Sequence, residues 1–165
     1  MSPDKINKQD LVALIISELK QTLHQAINAA NETHAAAVDD ESVAETQYDT
    51  LAIEAGYLAE GQSRRVQELQ AAIQSYQSLS LLSFEQNQTI SLSALVQLSQ
   101  DKESKHWFFI GPAAGGFRCQ LNEKNITVIT PKSPMGLALV GKYQDDDVEV
   151  MVNKNTLQNY IERVL

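Results

Sequence analysis

A chain of 165 residues with 43% hydrophobic content is long enough for one ordinary domain or two small ones. Its formal charge of -8, from 13 basic and 21 acidic residues without a basic stripe, argues against autonomous DNA or RNA binding and against an anionic membrane surface. A single cysteine, Cys119, excludes an internal disulfide and a multi-cysteine zinc site, so a reducing, cytoplasmic compartment is expected.

The first residues, MSPDKINKQD, carry no secretory hydrophobic region, and the apolar run Leu11 to Ile16 is too short to span a bilayer. Asp10 suits a cap or a first-turn acid for a first helix. From there Val12, Ile16, Leu19, Leu23, Ala26, Ala30, Thr33 and Ala37 alternate spacings of four and three, the seam of a coiled coil. After a polar stretch, Leu51, Ala55, Leu58, Gln62, Val66, Leu69, Ile73 and Tyr76 form a second seam, with a stutter at Gln62. Two such seams joined by one short turn bury each other by folding back, so an antiparallel helical hairpin over residues 1–78 is expected. At 1.5 Å per residue its arm would be roughly 45 Å long.

The joining stretch, Asp39 to Asp49, is where the charge collects. Between Gln21 and Ser63 there is no Lys or Arg, whereas Glu32, Asp39, Asp40, Glu41, Glu45, Asp49, Glu54 and Glu60 are acidic. One reading is a solvated face that keeps an exposed hairpin apart from its neighbours. The other is a cation site: Asp40, Glu41 and Glu45 offer carboxylates of the kind magnesium accepts, too few for a tight site alone but enough to complete one on a partner. Arg64 and Arg65 follow the acidic tract and are read as ion-pairing with neighbouring acids rather than contacting RNA.

Beyond Ser78 the helical period stops, which puts a domain boundary there, and residues 79–165 read as a second domain. ISLSALVQL, HWFFI, FRCQL, ITVIT and DVEVMV read as strands, and Pro134 to Val140 as a short helix covering a small antiparallel sheet; TLQNYIERVL is read as a strand too, although Leu157, Tyr160, Ile161 and Val164 would also suit a helix. Pro134 suits the first helical turn and Gly141 a stop. The glycine cluster GPAAGGF, Gly111 to Phe117, lacks the lysine and hydroxyl of a phosphate loop and reads as a loose hairpin turn. His24, His34 and His106 show no ligand spacing, and no nucleophile, base and orienting partner can be assembled, so a free-standing enzyme is not expected.

SPMGLALVGK followed by DDDVEV, together with the helical hairpin and Tyr48, Glu54, Gly56, Tyr57, Glu60 and Gly61, resembles the Gre-type transcript-cleavage and elongation factors of bacterial RNA polymerase. The resemblance implies an α+β chain: an N-terminal antiparallel coiled-coil hairpin (1–78, tip near 39–49) and an FKBP-like C-terminal domain (79–165) that docks on the polymerase. It implies docking through Lys132, Ser133 and Pro134, entry of the hairpin into the secondary channel, and tip acids that help hold the polymerase's catalytic magnesium. On this reading Asp40, Glu41 and Glu45 assist cleavage of the 3' end of backtracked RNA. Glu41 and Glu45 supply the shared magnesium contact, and the chain binds no cofactor alone.

The family pattern at the tip is Asp-x-x-Glu-Asn-x-x-Tyr. Anchoring on Tyr48 brings Glu41 and Ala44 to the acidic positions, whereas anchoring on Glu45 brings Ser42 to the aspartate. Because neither register aligns both acids, a channel-occupying regulator without cleavage activity is the alternative, and a coiled-coil adaptor or chaperone a further one. Ser133, Pro134, Gly136 and Gly141 equally suit turn chemistry alone.

Overall fold

The computed structural model describes residues 5–43, 49–152 and 154–165, and the side chains among them except those of 33–59 and 152. The chain divides into two compact units. One is Leu14–Gln74; the other joins the start of the first helix, through Ala13, to Ser75–Leu165.

Two long helices open the chain, α1 (Lys8–Val43) and α2 (Asp49–Gln77). The cap of α1 is Asn7 rather than Asp10: Asn7 Oδ1 accepts the backbone N–H groups of Gln9 (2.9 Å) and Asp10 (3.2 Å), satisfying donors that have no intrahelical partner. Asp10 is the acid of the first turn. Along α1 the most buried side chains are Leu11, Ile15 and Leu19, with Val12, Ile16 and Leu23 only half-buried. The buried stripe thus starts one residue earlier than the heptad seam, at Leu11 and Ile15 in place of Val12 and Ile16, and rejoins it at Leu19. In α2 the expected positions hold from Val66 onward, where Leu69, Ile73 and Tyr76 are buried and Val66 half-buried; the side chains of Leu51, Ala55 and Leu58 lie outside the described residues. Gln62, at the stutter, has a buried side-chain oxygen that finds no hydrogen-bond partner among the described residues.

The second unit carries a six-stranded sheet of β1 (Leu95–Leu98), β2 (His106–Ile110), β3 (Arg118–Leu121), β4 (Lys124–Ile129), β5 (Asp147–Val152) and β6 (Asn155–Val164), in the order β3-β4-β2-β1-β6-β5. A short helix, α3 (Pro134–Leu139), lies between β4 and β5, within one residue of its predicted end. The C-terminal segment is a strand, the alternative taken for it from the sequence, and not a helix.

Three expectations are corrected. The sheet is mixed rather than antiparallel, because β2 and β4 run parallel, Trp107 opposite Ile126 and Phe109 opposite Val128. GPAAGGF is not a hairpin turn, since β4 lies between β2 and β3. Instead the loop folds back along β4, with Gly111 N–H donating to Ile129 O (2.9 Å) and Gly116 N–H to Val128 O (2.8 Å). The hairpin is the next connection, where Asn122 and Glu123 both have positive φ (51° and 66°), as a two-residue turn between twisted strands requires. Finally, the alternating ISLSALV is strand only from Leu95. Ser93 interrupts it with φ of 75°, buried, its Oγ accepting the Leu82 N–H at 2.9 Å.

Both faces of the sheet's centre are buried, so β1 and β2 read as continuous apolar runs. On one face Val96, Leu98, Phe108, Ile110, Ile129, Ile161 and Val164 pack with Ile90 and with Leu139 of α3. Trp107, Phe109, Ile126 and Val128 alternate to the other face and are equally buried. There Tyr76 donates its hydroxyl to Ala113 O at 2.6 Å and lies so close over Gly111 that no side chain fits at that position.

Candidate functional site

Residues Lys132, Ser133 and Pro134 form the entry to α3. Ser133 is its N-cap: the backbone is extended (φ -68°, ψ 158°) and the side-chain oxygen accepts the Gly136 N–H at 3.0 Å. The same hydroxyl donates to Thr130 O at 2.7 Å, and the Ser133 N–H donates to that carbonyl at 3.1 Å. Pro134 follows at the first helical position, where its missing N–H costs nothing. Gly136 is buried hard against the Thr130 carbonyl, in space that a Cβ would fill.

At the far end Gly141 takes φ of +87° just past the cap residue Val140. Its N–H donates to Ile90 O (2.9 Å), while Ile90 N–H donates to Lys142 O (2.8 Å). The turn chemistry expected of Ser133, Pro134, Gly136 and Gly141 is thus present in full. It leaves Lys132 and Pro134 exposed, together with Leu137, whose side chain is 71% exposed, and Val140 and Tyr143. Leu137 was not singled out by pattern. Its signal is the helical offset from buried Leu139, which turns position 137 outward.

The aspartates after Lys142 shape the approach to β5. Asp146 accepts the Tyr143 N–H (2.8 Å), Asp145 takes φ of 74°, and Lys142 Nζ donates to Asp147 O at 3.0 Å. Signature residues from Ser133 to Asp147 therefore form one contiguous corner in which backbone donors and acceptors are matched by nearby side chains.

At the other candidate site, Asp40 and Glu41 belong to the last turn of α1, but their side chains, and all of Glu45, lie outside the described residues. The tip and magnesium assignments therefore rest on sequence. Arg64 pairs with Glu60 at 3.7 Å across one helical turn, both side chains largely exposed, in keeping with the ion-pair reading.

Among the described residues no three His, Cys, Asp or Glu side chains gather as metal ligands, and no helix is long and apolar enough to cross a membrane. His106 Nε2 lies 2.8 Å from Thr127 Oγ1, and its Nδ1 lies 3.7 Å from Asp101 Oδ1, too far for a hydrogen bond. Cys119 is half-buried on β3, and burial pushes its thiol up, away from the thiolate that reactivity needs.

No family model and no curated protein matches the chain. Among solved structures it is similar to the transcription factor Gfh1, at 16% identity and a TM-score of 0.39 over 90% of this chain and 92% of that one. It is similar also to GreA factor homolog 1 of Thermus thermophilus, at 16% identity and a TM-score of 0.36 over 91% and 94%. A third is Gfh1 of Thermus aquaticus, at 18% identity and a TM-score of 0.34 over 90% and 92%.

Proposed function

We propose that this chain is a Gre-like factor of bacterial RNA polymerase: α1 and α2 pair as an antiparallel hairpin that enters the secondary channel, and an FKBP-like C-terminal unit docks outside it. The observation that carries the reading is the capped corner from Lys132 to Asp147, which presents the signature Ser-Pro at an exposed helix start, in a chain whose two long helices flank an acidic segment. Lys132, Ser133 and Pro134 form the docking contact in this proposal, with Leu137 beside them as an apolar anchor of the kind that dominates interface energies.

Asp40, Glu41 and Glu45 then reach the polymerase active centre. There carboxylates would help hold a magnesium ion that belongs to the polymerase, whose charge stabilises the transferring phosphoryl group. The chain is a helper on this reading and not an enzyme by itself.

The test is RNA cleavage by a purified, backtracked bacterial polymerase at limiting magnesium, with the wild-type chain and with Glu41 and Glu45 both changed to Ala. Acceleration by the wild type that disappears in the double variant is the expected result. The acid spacing, in which no single register aligns both carboxylates with the family pattern, favours a second reading: a regulator that occupies the channel without promoting cleavage. Absence of acceleration, combined with competition against a genuine cleavage factor, would select it. Failure to bind polymerase at all would overturn both readings.

A further inference from the structure

A cavity of about 420 Å³ lies in the C-terminal unit where the start of α1 meets the segment after α2 and the end of β6. None of its lining residues belongs to the Ser133 corner. Ile6, Leu81, Leu82 and Phe84 are among its lining residues, and its wall is more apolar than polar. Its charged lining side chains are all cationic, Lys5, Lys8 and Arg163, and Leu165 also reaches its wall.

Lys8 is the unusual member. Its ammonium donates to the Leu82 carbonyl at 2.7 Å and sits 4.8 Å from the centre of the Phe84 ring. Both partners are formally neutral, and no ion pair to Lys8 or Lys5 occurs among the described residues. Burial without a counter-charge pulls the Lys8 ammonium down to about 8. A half-buried cation beside an apolar cavity is stabilised by an arriving anion far more than a solvated lysine is, because its hydration has already been lost. The apolar wall adds a place for a hydrocarbon body, and cavities of this size and lining are the usual form of small-molecule sites.

We propose that this cavity binds a small amphipathic anion, a carboxylate or similar oxyanion with a short apolar tail, with the tail along Ile6, Leu81 and Phe84 and the head on Lys8 and Lys5. Arg163, which also acts on the neighbouring Glu162, reinforces the positive potential without being essential to the contact. A free solute is the occupant rather than an anionic lipid surface, since a chain of charge -8 is repelled by such a surface as a whole. The proposal is independent of the polymerase reading.

The test titrates the full chain with octanoate, octanol and octylammonium, three probes of one tail length and different head charge, by calorimetry and by backbone amide NMR. Octanoate is expected to bind saturably, about tenfold or more tighter than octanol, the difference of one charged hydrogen bond. Octylammonium should be the weakest of the three, and shifts should concentrate at residues 5–9 and 81–84. Lys8→Met keeps the packing against Phe84 and should remove the preference for octanoate over octanol. Lys5→Gln, at the exposed rim, should weaken octanoate alone while leaving the unfolding temperature unchanged. Equal affinity for the three probes, shifts that map elsewhere, or no saturable binding of octanoate would each overturn the proposal.

Discussion

Ser133 and Gly136 do their work through a single carbonyl, that of Thr130. The serine hydroxyl both caps α3 and donates to that oxygen, and the glycine lets the helix sit directly on it. Ser133→Ala is expected to lower stability by about 1 kcal/mol, the usual value of an N-cap, and Gly136→Ala by about 1–3 kcal/mol because backbone must move to admit the methyl group. Chemical denaturation of each variant checks both numbers. Lys8 and Tyr76 set the alkaline behaviour in opposite senses. Burial lowers Lys8 from 10.5 to about 8, so between those values the unfolded chain holds a proton that the folded chain has released, and stability rises with pH. Burial raises Tyr76 above its ordinary 10.0, so the folded chain keeps that proton longer and stability falls as pH passes above 10. The urea midpoint should therefore climb from about pH 8 towards 10 and then drop; Lys8→Met should flatten the climb and Tyr76→Phe the drop.

Among the elements, the β3–β4 hairpin and the GPAAGGF loop show why strands are easier to find than their partners. HWFFI, FRCQL and ITVIT are all strands, but a run of apolar residues carries no record of its neighbour. Pairing was decided by two residues of turn chemistry, Asn122 and Glu123, both held at positive φ. Asparagine tolerates that conformation, whereas glutamate does so at a cost, so the turn was not legible as one. Glu123→Gly should stabilise the chain by about 0.4–1 kcal/mol by relieving it. The measurement is a thermal or urea unfolding curve, read at neutral pH where the weak, exposed Lys105–Glu123 pair at 4.0 Å contributes little. The same limit explains ISLSALV: its alternation is genuine, but buried Ser93 uses a left-handed turn to reach the Leu82 N–H, so only the second half enters the sheet.

Over the whole molecule, the division into units does not follow the helices. The first turns of α1 belong with the sheet, tied by Lys8 to Leu82 and Phe84, and the last turn of α2 is tied by Tyr76 to Ala113. Removing residues 1–13 takes away the buried side chains of Ile6 and Leu11, and should destabilise the C-terminal unit by about 3 kcal/mol or more. Amide hydrogen exchange in β1 and β2 would report it, as faster exchange at Val96, Phe108 and Phe109. Stability of that magnitude is a large share of what a domain possesses, so the first turns of α1 and the last turn of α2 are part of the C-terminal unit's own fold.

Several features followed from local sequence: two long helices, their end near residue 78, the first five strands, and α3 with its Ser-Pro start and Gly stop. These are properties of period, capping and φ preference, which act within a few residues. The clustering of acid between Gln21 and Ser63 was equally plain, being composition. Tertiary structure alone decided the parallel pairing of β2 with β4, the burial of Leu11 and Ile15 in place of Val12 and Ile16, and the meeting of Lys8 with Leu82 and Phe84 across more than seventy residues. Those depend on which distant surfaces bury one another. The apolar area gained there is set by the folded arrangement as a whole, which no local window of sequence contains.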